Sequence, residues 1–206
     1  MYLTQLLLNP AHAEARRDLA DAYQMHRSLS RVFATSADAP VPRFLWRLER
    51  ERTPGAGNTV LLQAGQPGHW QSLGAAPGYL LAPATDKQVA LDRLVIAGQR
   101  CRFRLRANPA VKREGKRWGL HDEATQMAWL QRQGERLGFA VQGANVSQRE
   151  RVQVPQQRNA MRIFVDSVLF DGVLAVLDAD LLRPALLAGI GPAKALGLGM
   201  LSLAPA

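Results

Sequence analysis

Along the first part of the chain, hydrophobic positions recur with the two-residue period of a strand in some segments and with the 3.6-residue period of a helix in another. Three short segments in which apolar residues dominate or alternate with polar ones predict strands, at 2–8, 44–49 and 59–63. Residues 13–33 are rich in Ala, Leu, Arg and Met and have the spacing of one long amphipathic helix. The stretch 65–83 is rich in Gly, Pro and Ala, so a second helix there is weak and the next strand, 78–81, is short.

The second part of the chain repeats this order. Alternation and apolar runs predict further strands, at 94–96, 100–107, 139–142, 163–168 and 170–177. Helices are predicted at 122–137 and 179–188, and a glycine-rich loop and a final strand follow. We therefore predict an α+β fold with two tandem ferredoxin-like (RRM-like) β-α-β-β-α-β domains, at residues 1–84 and 85–206.

The predicted strand 100–107 alternates arginine with another residue. Its four arginines share one face, at positions 100, 102, 104 and 106. A solvated edge strand usually mixes charges of both signs, whereas a row of one sign in a basic protein favours contact with phosphate. Phosphate binding and protection of an exposed strand both remain open for this face.

The glycine-rich segment 189–199 lies between a predicted helix and a predicted strand. In Rossmann and P-loop proteins the glycines instead follow a strand and open a helix, whose N-terminal amides hold phosphate. The order in this chain therefore excludes an ordinary nucleotide site. The glycines predict sharp backbone turns beside Lys194 in a helix-to-strand connection.

The charge balance points to a polyanionic partner. The formal net charge is +9, and 22 of the 26 basic residues are arginine, whose planar guanidinium binds phosphate through two hydrogen bonds. Codon usage in a GC-rich genome explains arginine in place of lysine, but it does not explain the excess of positive charge. The basic residues lie along predicted strands and loops rather than on one amphipathic helix, so nucleic acid is favoured over a membrane surface.

Other compositional features exclude several classes of site. The single Cys101 excludes an internal disulfide, and the four scattered histidines lack zinc-ligand spacing, so neither a metal nor a cofactor is expected. The chain contains no run of eighteen apolar residues, and its first residues do not resemble a signal peptide. We expect a cytoplasmic protein without a membrane anchor.

His26 is the strongest candidate for chemistry. It projects from the apolar stripe of the first predicted helix, with Tyr23 about 60° round the same side and Arg16 and Arg27 on the flank. An imidazole that moves protons near neutral pH, beside cations that stabilise a charged phosphorane, is suited to cleave RNA without metal. A packed structural histidine is the alternative interpretation at this point.

Six motifs lie at 23–27, 103–109, 128–130, 170–174, 189–194 and 197–205, and together they span essentially the full length of the chain. These motifs resemble those of the CasE family, the repeat-processing endoribonucleases of type I-E CRISPR systems. The resemblance implies two ferredoxin-like domains that bind the stem-loop of CRISPR repeat RNA and cut at the 3′ base of the stem. The implied reaction is metal-independent attack of a 2′-hydroxyl, which leaves a 2′,3′-cyclic phosphate and a 5′-hydroxyl.

The resemblance also implies roles for individual residues. The catalytic histidine of the family falls on His26, as general acid or base, and its nearby tyrosine falls on Tyr23, which would orient or stabilise the scissile phosphate. The family's basic β-hairpin corresponds to residues 148–162, and the expected RNA-binding residues are Arg27, Arg149, Arg151, Arg158, Arg162 and Lys194. The implied partners are the repeat RNA and other Cascade subunits.

Two further functions remain as alternatives. Ferredoxin-like domains often bind RNA without cutting it, so a catalytically silent RNA-binding subunit has the same sequence signals outside His26 and Tyr23. A metal-dependent nuclease is disfavoured because the chain shows no cluster of carboxylates.

Overall fold

The computed structural model describes residues 1–34, 40–49, 58–73, 77–154 and 163–206. These residues form two compact units. The first comprises residues 1–89 together with 195–197, and the second comprises residues 90–194 together with 198–206. Each unit is built on one four-stranded antiparallel sheet.

The sheet of the first unit contains four strands, namely β1 (Tyr2–Leu8), β2 (Phe44–Glu49), β3 (Asn58–Ala64) and β4 (Thr85–Gln88). Their order in the sheet is β2-β3-β1-β4, which is the order of a ferredoxin-like domain. The predicted strand at 78–81 is wrong, because Leu80 makes only one isolated bridge, to Leu8. The fourth strand is β4, which lies beyond the predicted domain boundary after residue 84 and yet pairs with β1.

Two helices replace the single helix predicted at 13–33. Helix α1 (Ala13–Ala20) ends before Asp21, and α2 (Ala22–Phe33) begins after it. Asp21 has extended backbone angles, and its carboxylate accepts hydrogen bonds from the amides of Tyr23 (2.8 Å) and Gln24 (3.3 Å). The carboxylate thereby satisfies two N–H groups that the start of a helix leaves unpaired, so it stabilises a break within an otherwise helical pattern.

The second helix of the first unit is reduced to a short 3₁₀ turn, Trp70–Ser72, among the described residues. Asp86 of β4 fixes this turn to the sheet, because its carboxylate accepts hydrogen bonds from Trp70 Nε1 (3.0 Å), the amide of Gly68 (3.2 Å) and Thr4 Oγ1 (2.5 Å). The weak helical signal of this segment thus corresponds to a turn held by side-chain contacts.

The second unit has strand order β10-β5-β9-β8. After the short helix α3 (Leu91–Leu94) its elements are β5 (Arg100–Ala107), β6 (Ala110–Arg113), β7 (Lys116–Gly119), α4 (Glu123–Leu137), β8 (Phe139–Val154), β9 (Ile163–Val176), α5 (Ala179–Ala188) and β10 (Leu201–Pro205). Strands β6 and β7 form a separate hairpin, inserted between the first strand and the first helix of the ferredoxin-like pattern. The predicted α+β class with two tandem ferredoxin-like domains is confirmed, with the second helix of the first domain reduced to the turn.

Some strand limits of the second unit differ from the predictions. Residues 94–96 are not a strand, because Leu94 ends α3 and Val95 packs into the core. Residues 139–142 are only the first part of β8, and the two strands predicted between 163 and 177 form one strand, β9. The result is one long hairpin, β8–β9, whose register shifts at Gln142 and again at Ser147.

The glycine-rich connection after α5 is tied to β5 through Gly199. The amide of Gly199 donates to the carbonyl of Arg106 (2.6 Å), and its carbonyl accepts from the amide of Ile190 (2.8 Å). Gly199 has a φ of +91°, and a Cβ at this position would lie 2.8 Å from the Ile190 carbonyl oxygen. Only glycine fits this conformation without strain. Among the described residues, no helix is long and apolar enough to span a membrane.

Candidate active site and nucleic-acid interface

His26 lies in the middle of α2, where its half-buried ring stacks on Phe44 of β2. The two ring centroids are 5.0 Å apart and the planes differ by 24°. Phe44 in turn stacks on Phe33 at 5.1 Å, and Phe33 meets the ring of Trp70 edge-on at 6.0 Å. His26 is therefore the outer ring of an aromatic stack that belongs to the core of the first unit, and this packing fixes the plane of the imidazole.

Burial lowers the pKa of His26 below its usual value of 6.5, because desolvation penalises the charged imidazolium. The Nδ1 atom is buried and has no hydrogen-bond partner among the described residues. At neutral pH the ring is consequently neutral, and Nε2 is the nitrogen through which it can exchange a proton with a ligand.

Tyr23 and Arg27 flank His26 on the same helix. Tyr23 is 37% exposed, and Arg27 is exposed without an ion-pair partner among the described residues. The cap at Asp21 fixes the backbone of Tyr23 at the start of α2. Arg16, predicted to lie on the same helix edge, instead belongs to α1, where its guanidinium donates to the carbonyl of Ala11 (2.6 Å). Of the predicted groups, α2 itself thus carries the imidazole of His26, the phenol of Tyr23 and the guanidinium of Arg27.

A buried polar network joins α1 to α2 behind this edge. Asp18 is 2% exposed and accepts hydrogen bonds from the Tyr79 hydroxyl (2.8 Å) and Arg17 Nε (2.8 Å), while Arg17 Nη2 donates to Ser28 Oγ (3.3 Å). Burial and the neighbouring carboxylate raise the pKa of Tyr79, so that its hydroxyl remains a donor. The network therefore links α1 both to Tyr79 and to the helix that carries His26.

Two of the four arginines in the row on β5, Arg104 and Arg106, are engaged by neighbouring side chains. Arg104 binds Asp171 through two hydrogen bonds, of 2.7 and 3.3 Å. Arg106 is only 6% exposed and contacts Gln148, Ser167 and Glu150. Arg100 and Arg102 are exposed, although Arg102 Nε donates to the carbonyl of Pro205 (3.2 Å). The phosphate-binding interpretation of this face therefore does not extend to Arg104 and Arg106, which hold β8 and β9 to β5.

Arg149 and Arg151 lie on β8 beside a cleft of about 240 Å³. Arg149 pairs with Glu123 (2.6 Å) at the start of α4 and donates to Gln126 (3.2 Å), and Arg151 lies 3.6 Å from Asp166 of β9. Their side chains are nevertheless 46% and 71% exposed, so both guanidiniums keep free edges toward solvent. Arg158 and Arg162, predicted to bind RNA from the same hairpin, lie outside the described residues.

The side chain of Lys194 forms a hydrogen bond within its own loop. Its Nζ donates to the carbonyl of Gly191 at 2.6 Å, and the residue is half-buried at the start of a 3₁₀ turn, Lys194–Leu196. The ammonium therefore stabilises the glycine-rich connection, and a ligand would have to share it with this carbonyl.

The structure thus assembles the predicted residues in separate groups. Tyr23, His26 and Arg27 share an edge of α2, and Arg149 and Arg151 share the cleft on β8. Phe44 is not predicted from sequence as part of the site, because an apolar residue at the start of a strand signals only core. Among the described residues, no group of three or more His, Cys, Asp or Glu side chains is arranged to hold a metal ion.

The chain is similar to proteins of one family over its whole length. A family model described as CRISPR associated protein matches residues 1–205. The CRISPR-associated endoribonuclease Cse3 of Thermus thermophilus is 38% identical over 220 residues, and the CRISPR system Cascade subunit CasE of Escherichia coli is 34% identical over 221 residues, each alignment covering 100% of both chains.

A solved structure matches the fold of the chain as well. It is the structure of Thermus thermophilus Cse3 bound to an RNA representing a pre-cleavage complex. It has a TM-score of 0.86 and 39% sequence identity to this chain, and the match covers 99% of this chain and 98% of that one.

Proposed function

The chain belongs to the family of CRISPR associated proteins, and from that premise we propose that it is an endoribonuclease that processes CRISPR repeat RNA. It binds the stem-loop of the repeat transcript and cuts at the 3′ base of the stem without a metal ion. It then retains the product and acts as a subunit of a Cascade complex, in the cytoplasm where the transcript is made. The observation that carries the proposal is the imidazole of His26, neutral and fixed by stacking, beside Tyr23 and Arg27 on one helix edge.

The proposed reaction is an internal transfer at phosphorus. The 2′-oxygen forms a bond to the adjacent phosphorus, the bond from phosphorus to the 5′-oxygen breaks, and a 2′,3′-cyclic phosphate and a 5′-hydroxyl result. The neutral imidazole of His26 takes the proton of the 2′-hydroxyl as general base, and the departing 5′-oxygen takes up a proton from water. Tyr23 orients the scissile phosphate by hydrogen bonding, and Arg27 offsets the charge that develops on its oxygens.

The positive charge of the second unit supplies the binding energy for the stem. Arg149 and Arg151, with exposed guanidinium edges beside the β8 cleft, contact phosphates together with Arg158 and Arg162 of the same hairpin. Lys194 contributes a further cation from the glycine-rich connection. These contacts position the RNA, and the helix edge at His26 performs the cleavage.

Cleavage in the presence of a chelator tests the proposed function. Purified protein incubated with the repeat RNA of its own host in excess EDTA should convert it to two fragments, of which the upstream one ends in a cyclic phosphate. Acid treatment followed by phosphatase identifies that end, because the cyclic form resists phosphatase until it is opened. RNA that is bound but uncut would instead identify a silent RNA-binding subunit, and cleavage restored only by added Mg²⁺ would identify a metal-dependent nuclease.

The rate of cleavage should rise with pH in the acid range and then level off. Burial lowers the pKa of His26 below 6.5, so the neutral, proton-accepting form predominates at neutral pH and is lost as pH falls. Single-turnover rates at subsaturating enzyme report kcat/KM and therefore the titration of the free enzyme. A rate that falls with increasing pH across the same range would contradict the general-base role and assign His26 as the acid.

A further inference from the structure

Among the described residues, nothing supplies His26 with the hydrogen bond that usually orients a histidine acting as general base. In serine proteases a buried aspartate accepts a hydrogen bond from the ring nitrogen that faces away from the substrate, and this bond fixes the plane and the tautomer of the ring. The corresponding atom of His26, Nδ1, is buried and has no hydrogen-bond partner within the described part of the chain. The packing of the ring must therefore orient it.

Phe44 packs against the face of this imidazole. The planes of the two rings differ by only 24°, and their centroids are 5.0 Å apart. Rotation of the imidazole about its Cβ–Cγ bond would turn its edge into the face of the phenyl ring, so the stack restricts the imidazole to one plane. Phe44 is only 7% exposed, which is too deeply buried to contact a bound RNA, so it acts on the reaction through His26.

Phe44 is itself held in place by a second ring from the same helix. His26 and Phe33 both belong to α2, and their separation of two helical turns is a rise of about 10.5 Å. Phe33 stacks on Phe44 at 5.1 Å, with an angle of 25° between the planes. The two centroid distances, 5.0 and 5.1 Å, together nearly equal this rise, so Phe44 is inserted between the two side chains of α2. Trp70, whose indole donates to Asp86, packs edge-on against Phe33 and closes the inner end of the stack.

Burial rather than a neighbouring charge sets the protonation state of this imidazole. Desolvation lowers the pKa of His26, and no charged side chain of the described residues contributes to the shift. The other charged or histidine side chains on α2 and on the elements packed against it fall into two groups. The exposed ones are Arg16, Arg27, Arg31, Arg43, His69 and Lys87. The others interact within the fold, namely Asp21 with the amides of α2, His12 with Tyr79, Glu14 with Arg17, Arg17 with Asp18, Asp18 with Tyr79, Arg47 with Glu49, and Asp86 with Trp70. Loss of the ring at position 44 would therefore act on this pKa by admitting water.

We propose that Phe44 is a positioning residue for the cleavage reaction, which holds the imidazole of His26 in the plane from which Nε2 accepts the proton of the 2′-hydroxyl. The stack thereby takes the place of the orienting hydrogen bond. This inference rests on the proposed function, because it concerns the same histidine in the same reaction. A positioning role requires an aromatic ring at position 44, whereas a purely structural role requires only apolar volume.

Phe44→Leu tests the proposal, because it removes the ring and keeps an apolar side chain. Single-turnover cleavage of the host's repeat RNA, at saturating enzyme and at the plateau of the pH profile, should slow about 10- to 100-fold through displacement of the general base. The enzyme concentration that gives half-saturation should stay unchanged. The midpoint of the kcat/KM profile should move up toward 6.5, because water reaches the imidazole.

Two further measurements distinguish orientation of the ring from packing. An NMR titration of the free protein should show the same rise in the pKa of His26 in Phe44→Leu, with the signal of His26 identified by its absence from His26→Ala. Phe44→Tyr keeps the ring, so it should retain most of the cleavage rate and the pH midpoint of the unaltered protein.

Val60→Ala is the matched control for a loss of core packing. Val60 is fully buried in the same core, but it lies about 13 Å along β3 from Ala64, the residue that pairs with Phe44. Val60→Ala should lower the melting temperature, followed by circular dichroism, without slowing cleavage or moving the pH midpoint.

Three results would overturn the proposal. They are a Phe44→Leu variant with the rate and pH midpoint of the unaltered protein, a Val60→Ala variant that loses as much rate as Phe44→Leu, and a Phe44→Tyr variant as slow as Phe44→Leu. If Phe44→Leu does not fold, Phe44→Met takes its place, because methionine fills the volume without a ring to stack on the imidazole. Failure of the unaltered protein to cut the RNA would instead overturn the proposed function, and the NMR titration would still test whether Phe44 shields His26 from water.

Discussion

Replacement of His26 by alanine should abolish most cleavage while leaving RNA affinity nearly unchanged. General acid–base catalysis contributes about 10²- to 10⁴-fold to the rate, and a loss in this range is expected in single-turnover reactions at saturating enzyme. Affinity should persist because the proposed phosphate contacts are made by arginines of the second unit. The half-buried ring of His26 lies at the outer end of its stack, so its removal leaves the interior rings Phe33 and Phe44 packed against each other.

His12→Ala provides the matched control for this variant. His12 also has a buried Nδ1 without a partner among the described residues, and its ring packs edge-on against Tyr79 at 5.8 Å. It belongs to the same unit but lies before α1, so its loss should lower stability without a comparable loss of cleavage. If His26→Ala instead loses much of its RNA affinity and of its stability, His26 is a purely structural histidine.

Substitution of Gly199 by alanine should destabilise the second unit by roughly 2–5 kcal/mol. A non-glycine residue at a φ of +91° is strained, and the added Cβ meets the carbonyl oxygen of Ile190, which is backbone and cannot move aside as a side chain would. The change also threatens the two backbone hydrogen bonds that join Gly199 to Ile190 and Arg106. Urea denaturation followed by circular dichroism measures the loss.

Gly98→Ala separates the cost of the positive φ from the cost of the contact between the added Cβ and the Ile190 carbonyl. Gly98 has a similar φ of +83°, but nothing lies within 4 Å of the Cβ that the substitution would add. It should therefore cost only the conformational strain, about 1–2 kcal/mol. If Gly98→Ala and Gly199→Ala lose equal stability, the close approach to Ile190 is not what requires glycine at position 199.

Local signals were sufficient to predict most elements of the fold from sequence. Helix α4 agrees with its prediction because both ends carry local signals, a capping Asp122 and a left-handed Gly138. The break at Asp21 was not predicted, although aspartate is a common cap, because the apolar spacing continues across it without interruption. In the sequence, an aspartate that caps a new helix looks the same as an aspartate on the surface of one continuous helix. Only the tertiary packing of the two helices distinguishes these cases.

The pairing of charges was the least predictable part of the candidate site. The arginines of β5 form a row in sequence, but the carboxylates that neutralise Arg104 and Arg106 come from Asp171 and Glu150, on strands far along the chain. Which face of β8 carries each residue depends on two register shifts that no alternation pattern reveals. His26 could be singled out from its spacing on the helix, but its stacking on Phe44 and the resulting lower pKa required the structure.

The two register shifts in β8 have a consequence for how this hairpin tolerates insertion and deletion. Each shift reverses which side chains face the helices, so the shift at Ser147 is what puts Arg149 on the face with Val168, away from the face of Arg104 and Arg106. Deletion of Ser147 would remove only the residue of this shift that has no partner on β9, so Arg149 and Arg151 would keep their pairing with Val168 and Asp166 at the cleft. The hairpin can therefore lose this one residue without reversing the faces of the charged side chains beyond it.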